Sequence, residues 1–228
     1  MSGLAGIKAC VFDAYGTLFN FNSAVARCAA IPELKRAVLA TTWRDKQIQY
    51  TLLRSLQHRY ADFEQVTAEA LDYALDSTGL TNAGHRMQLL DLYQTVSVYP
   101  EVPPILKALK AAGIVTAILS NGTSAMLKAA IDHAAIGAQL DHVLSVETVG
   151  VFKPAPEVYQ LAVDRLGVAR EAICFVSSNG WDAYGAAVFG FQVAWCNRAD
   201  QPVERLPGQP AIVVRTLSEL AFLWAPGR

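Results

Sequence analysis

The chain has 228 residues, 53% of them apolar and 17% charged, with 19 basic side chains set against 20 acidic ones. A near-neutral balance argues against nucleic acid or an anionic membrane as the main partner, because such binding runs on accumulated Lys and Arg. The apolar content excludes an intrinsically disordered chain, and charge well under the ~25% of an average soluble domain leaves uncharged surface for a partner subunit to cover.

The first apolar run, 7–12, is rich in strand formers and ends at Asp13 and the turn-prone pair Tyr15-Gly16. From 21 to 96 no buried strand is expected. Helices are predicted over about 23–30, 33–60, 63–77 and 83–95. Leu39, Trp43, Tyr50, Leu53 and Leu56 recur at roughly helical spacing. Pro32 suits a helix start and Gly79 a helix stop. After Pro100, predicted helices at 102–112, 124–134, 155–166 and 182–188 alternate with strands at 114–119, 142–145, 172–176 and 191–195. Uncharged strands alternating with helices predict parallel βαβ units with both sheet faces covered. The expected fold is therefore α/β, a doubly wound, Rossmann-like parallel sheet built from residues 1–17 and 98–228. A helical insert, 18–97, follows its first strand.

No membrane span is expected: the longest uncharged stretch, 111–127, is interrupted by polar residues 120–124. The start of the chain lacks a basic leader, so no secretory signal is expected. Cys10, Cys28, Cys174 and Cys196 form no CxxC pair and read as reduced structural thiols of a cytoplasmic protein.

Ligands of open parallel sheets bind beyond the carboxyl ends of the strands. Polar residues stand there in four places: Asp13, Ser120-Asn121-Gly122, Lys153 in its loop, and Ser177-Ser178-Asn179 with Asp182. Each has a plain alternative: turn former, helix cap, solvated helix-start lysine. Converging on one crevice, they offer more. An ammonium keeps a partly buried carboxylate ionised, and a fixed, poorly hydrated carboxylate is a competent nucleophile. Hydroxyl, amide and backbone N–H groups at a helix start bind anions.

Residues 12–18 (Phe-Asp-Ala-Tyr-Gly-Thr-Leu), 119–122 (Leu-Ser-Asn-Gly), 152–154 (Phe-Lys-Pro) and 177–182 (Ser-Ser-Asn-Gly-Trp-Asp) resemble, in order, the four motifs of the haloacid dehalogenase superfamily. Residues 43–50 and 53–56 resemble the cap helix of its L-2-haloacid dehalogenase branch. The superfamily's phosphatases use Asp-x-Asp and carboxylate-held Mg²⁺. Here Tyr15 stands where the second Asp would be, and Ser/Asn residues replace an acid of the fourth motif. What remains suits displacement at carbon, with neither metal nor cofactor expected.

The resemblance implies hydrolysis of short L-2-haloalkanoates to D-2-hydroxy acids through an Asp13 ester. Thr17 and Lys153 would hold Asp13. Ser120 and backbone N–H groups near Ala14 and Tyr15 would bind the substrate carboxylate. Arg44 and Asn121 would receive the halide, with Trp181 beside it. Ser177, Asn179 and Asp182 would organise Asp13, Lys153 and the hydrolytic water, with Tyr159 in support. Tyr15, Ile48, Phe63 and Trp181 would line the apolar wall. Asp45 departs from the branch's usual Gln, and is expected to narrow tolerance for longer acyl chains unless it points away. The insert would act as a cap, and a homodimer is expected. The alternatives are a phosphatase-like hydrolase of the same fold and a catalytically silent ligand-binding member.

Overall fold

The computed structural model describes residues 4–223, so the outermost ends of the expected core, 1–3 and 224–228, lie outside the described residues. In chain order the elements are β1 (Ala9–Phe12), β2 (Phe19–Asn20), α1 (Ser23–Arg27), α2 (Glu33–Leu56), α3 (Phe63–Thr78), α4 (Ala83–Gln94) and β3 (Ser97–Val98). There follow α5 (Val102–Ala111), β4 (Val115–Ser120), α6 (Ser124–Ala134), β5 (His142–Ser145), α7 (Pro156–Leu166), β6 (Ile173–Ser177), α8 (Gly180–Phe189), β7 (Gln192–Cys196) and β8 (Ile212–Val214).

Six strands form one sheet in the order β5-β4-β1-β6-β7-β8, and every pairing in it is parallel. All four residues of β1 are buried, as a strand with neighbours on both edges and helices on both faces must be. The connection runs outward from β1 through β4 to β5, then returns to β6 and runs the other way. That reversal beside β1 opens a crevice at the carboxyl ends of β1, β4 and β6. β8 was not expected; it is three residues long at the sheet edge, and Val213 faces outward.

The chain leaves the sheet after β1 and returns before α5. The two crossings pair as a short antiparallel ribbon, Phe19 opposite Val98 and Asn20 opposite Ser97. Between them lie α1–α4. The α2–α3 contact is fixed by the Trp43 indole, which is buried and donates to the Thr67 carbonyl at 2.9 Å. Truncating such an anchor costs about 3–5 kcal/mol. α3 begins at Asp62, whose carboxylate accepts from the Gln65 N–H, and ends at Gly79 with φ 67°.

Two expectations about α2 need correction. The helix stops at Leu56 instead of 60, because His58 turns into the left-handed region (φ 53°). Leu53 and Leu56 do not join the core; they are exposed. The buried stripe is Leu39, Trp43, Gln47 and Thr51, four residues apart. Among the described residues, no helix is long and apolar enough to cross a membrane.

Candidate active site

β1 delivers Asp13 to the crevice one residue past its paired segment, and the Asp13 N–H still donates to the Val176 carbonyl of β6 at 2.9 Å. The side chain is 6% exposed, so its carboxylate depends on protein donors. Oδ1 accepts from Lys153 Nζ at 3.1 Å. Oδ2 accepts from Thr17 Oγ1 at 3.0 Å and from Asn179 Nδ2 at 2.8 Å. Thr17 Oγ1 also accepts from the Ser178 N–H at 2.8 Å, which leaves its single proton for Asp13.

Lys153 bridges two carboxylates. Its ammonium, fully buried, lies 3.0 Å from Asp182 Oδ2 as well as 3.1 Å from Asp13 Oδ1. Burial pulls its pKa down, but the charges of Asp13 and Asp182 outweigh that and leave it above the ordinary lysine value. Burial raises the Asp182 carboxyl above its usual range; Lys153 opposes the shift and the Asp13 charge adds to it. Tyr159 OH donates to Asp182 Oδ1 at 2.8 Å. Burial, then the Asp182 charge, holds that phenol well above its ordinary pKa, so it stays a donor.

Opposite Asp13 stands a half rich in hydrogen-bond donors. Arg44 reaches in from α2, and its Nη2 donates to Asn179 Oδ1 at 3.2 Å and to the Tyr15 carbonyl at 3.4 Å. Its guanidinium stands 4.8 Å over the Phe21 ring, and its Nε is buried with no partner among the described residues. Asn179 thus joins the two charged groups: the amide oxygen faces Arg44 and the amide nitrogen faces Asp13. Ser120 Oγ accepts from the Gly122 N–H at 3.0 Å and keeps its own proton. Asn121 Oδ1 accepts from the Lys153 N–H at 3.0 Å, which leaves Nδ2 as its donor.

A small cavity lies between these groups. Asp13, Ser120 and Asn121 line it from the sheet, α2 contributes Arg44, Gln47, Ile48 and Thr51, and Tyr15, Phe63 and Trp181 complete the wall. Tyr15 stacks on Tyr93 at 5.3 Å and lies 6.0 Å from Phe63. Burial above all raises the pKa of its phenol and keeps it neutral, and the ring forms part of the wall. Gly122 makes room for that ring: a Cβ there would stand 2.9 Å from Tyr15 Cε2. A wider apolar cleft outside shares Trp181 with this cavity but holds none of the charged groups.

The crevice therefore brings together Asp13, Ser120, Asn121, Lys153, Asn179 and Asp182, expected from the polar residues at the strand ends and their loops, with Thr17, Arg44 and Tyr159, expected from the resemblance. Two expected residues stand further back. Ser177 Oγ accepts from the Asn179 N–H at 3.2 Å and so acts on the nucleophile only through Asn179. Ala14 is buried in the turn, where its carbonyl accepts from the N–H groups of Leu18 and Phe19, and it does not line the cavity. Asp45 is exposed and off the cavity wall, which removes the reason for it to limit chain length. Gln47 and Thr51 were not singled out. Their signal was a polar residue recurring in the buried register of α2, and Gln47 is held there by bonds to Thr67 Oγ1 and the Tyr93 hydroxyl at 2.9 and 3.2 Å.

The chain is similar to known proteins over most of its length. Residues 7–190 match the family model described as haloacid dehalogenase-like hydrolase. Over 218 residues the chain is 46% identical to (S)-2-haloacid dehalogenase 1 of Pseudomonas sp. (strain CBS-3), covering 95% of this chain and 96% of that one. The crystal structure of a dehalogenase with intermediate complex superposes with a TM-score of 0.95 at 41% identity over 100% of both chains. The L-2-haloacid dehalogenase of Xanthobacter autotrophicus with chloropropionic acid covalently bound gives a TM-score of 0.88 at 37% identity, over 95% of this chain and 98% of that one.

Proposed function

The chain belongs to the haloacid dehalogenase-like hydrolases, and we propose that it hydrolyses short L-2-haloalkanoic acids to D-2-hydroxy acids through an ester on Asp13. One observation carries the reading: a buried carboxylate held by three donors faces a small cavity whose polar lining includes Arg44, Ser120 and Asn121, donors that suit a pair of anions.

Asp13 attacks C2 from the side opposite the halogen. The new C–O bond forms as the carbon–halogen bond breaks, the bonding pair leaves with the halide, and C2 inverts. Ser120 Oγ–H and the backbone N–H of Tyr15 hold the substrate carboxylate. Arg44 and Asn121 Nδ2 solvate the halide, and Trp181 packs beside it. Preorganised donors aimed at developing charge supply most of the acceleration in sites of this kind. Water then attacks the Asp13 carbonyl carbon. Lys153, Thr17 and Asn179, already on its two oxygens, hold the negative charge of the tetrahedral intermediate. Asp182, which shares Lys153 with Asp13, takes the water's proton. Collapse breaks the bond from the Asp13 carbonyl carbon to the ester oxygen; the departing alkoxide takes the proton held by Asp182 and leaves as the hydroxy acid, and the second water proton passes to solvent, so Asp13 returns as a carboxylate. No metal enters the cycle.

Residues 18–97 serve as a cap over the core of 1–17 and 98–228, and exclude water during the displacement. The chain works in the cytoplasm as a homodimer; Leu34, Val38, Leu53 and Leu56, apolar yet exposed on α2, support the pairing.

The test is halide release from L-2-chloropropionate in the presence of a chelator, with the mass of the Asp13 peptide read under single turnover in H₂¹⁸O. Label appearing first in Asp13 supports the ester; label in the first-turnover product, with none on Asp13, would mean direct attack by water and sink the reading.

A further inference from the structure

Arg198 lies outside the cavity, in the loop after β7, and none of the roles above uses it. Its Nη2 donates to the Thr17 carbonyl at 2.8 Å and its Nη1 to Glu101 Oε1 at 2.6 Å. The guanidinium carbon stands 3.8 Å from the centre of the Tyr99 ring. The Arg198 and Glu101 side chains are 17% and 16% exposed, so the pair is shielded from most solvent screening.

These partners lie on both crossings between the sheet and the helical insert. Thr17 belongs to the outgoing chain; Tyr99 and Glu101 belong to the returning one. The two are joined beside Arg198 by the Tyr99 N–H, which donates to the Leu18 carbonyl at 3.0 Å. One planar cation therefore contacts both crossings between the sheet and the insert. Thr17 is also fully buried and aims its only hydroxyl proton at Asp13 Oδ2. The carbonyl that Arg198 holds and the hydroxyl that holds Asp13 thus belong to one residue.

We propose that Arg198 is a positioning residue for the displacement: by pinning the Thr17 carbonyl to Tyr99 and Glu101, it keeps the Thr17 hydroxyl on Asp13 while the insert moves. The assignment rests on Asp13 being the alkylated group. Arginine suits the task because its planar fork donates in two directions while its face stacks; a lysine would keep the charge but could not make all three contacts.

The experiment compares wild type with Arg198→Lys, Arg198→Met and Glu101→Gln. Under single turnover with L-2-chloropropionate, intact mass gives both the rate of ester formation and the fraction of sites that react; KM and the melting temperature are measured alongside. Misplacement of a reacting group by about 1 Å can cost about 100-fold. Arg198→Met is expected to slow alkylation per reactive site by about tenfold to 100-fold with KM changed less than about threefold. Arg198→Lys and Glu101→Gln should fall between it and wild type, and either decides the matter if Arg198→Met does not fold. A lower melting temperature and fewer reactive sites, each reacting at the wild-type rate, would overturn the assignment and leave Arg198 a structural residue. Absence of any ester in wild type would instead overturn the reading of Asp13, and this proposal with it.

Discussion

Gly185 on α8 lies so close to Tyr159 on α7 that a methyl group on its α-carbon would stand 2.9 Å from the phenol oxygen. The same methyl would meet Pro154 Cβ at 2.7 Å. Gly185→Ala must therefore part α7 from α8 or push Tyr159 away from Asp182. Overpacking of this kind costs about 1–3 kcal/mol. We expect that loss in a denaturant titration, and a fall in kcat that exceeds any rise in KM.

Asp13→Asn keeps the volume of the nucleophile and removes its anionic lone pairs. Halide release should fall by at least about 10³-fold, and no adduct should appear on the side chain. Dechlorination at the parent rate would place the nucleophile elsewhere.

Lys153→Met leaves two buried carboxylates facing each other without their cation. Breaking a buried pair in this way costs about 3–5 kcal/mol. The pH dependence has a definite sign. Lys153 titrates above its ordinary 10.5 in the folded protein, so its contribution is complete below that value and is lost as pH rises through the folded one. The difference in melting temperature between wild type and variant should shrink at strongly alkaline pH; a constant difference would contradict the shift.

Acid stability should depend on two carboxylates away from the site. The Thr116 N–H, then Lys110, hold Asp141 below its ordinary 3.8. The Ser124 N–H at the start of α6 does the same for Glu147, whose ordinary value is 4.5. A lowered folded value gives stability that is present above the ordinary pKa and disappears as pH falls through the folded one. Asp141→Asn and Glu147→Gln should each lose less melting temperature than wild type on acidification below about pH 4.

Ile48 is an apolar part of the wall that α2 presents to the substrate. Ile48→Ala should raise kcat/KM for 2-chlorobutyrate relative to chloroacetate by about tenfold, the effect of a methylene or two in an apolar pocket. Asp45→Gln, one turn away on an exposed face, should leave the ratio unchanged.

Much of this site was legible in the residues because parallel strands write themselves as uninterrupted apolar runs, and a polar residue ending such a run has few places to go. Asp13 follows β1, and Ser120 and Ser177 are the last residues of β4 and β6. α8 shows what was harder. It starts at Gly180, two residues before the expected start, and Asn179 caps it without a side-chain bond. That amide is engaged with Asp13 and Arg44, so function overrode the usual cap chemistry. β2, β3 and β8 are too short for a two-residue period to register. Arg198 gave no local signal, since its partners are 97 and 181 residues away in sequence.

The division of labour between β1 and α2 has a practical meaning for engineering. The group that does the chemistry rides on a strand hydrogen-bonded along both edges, whereas positions 44, 47, 48 and 51 of one helix shape much of the chamber. Randomising 47, 48 and 51 alone should retune which pollutant-like molecules are accepted while the reactive machinery stays as it is, so a library of only three codons is enough to explore new substrates.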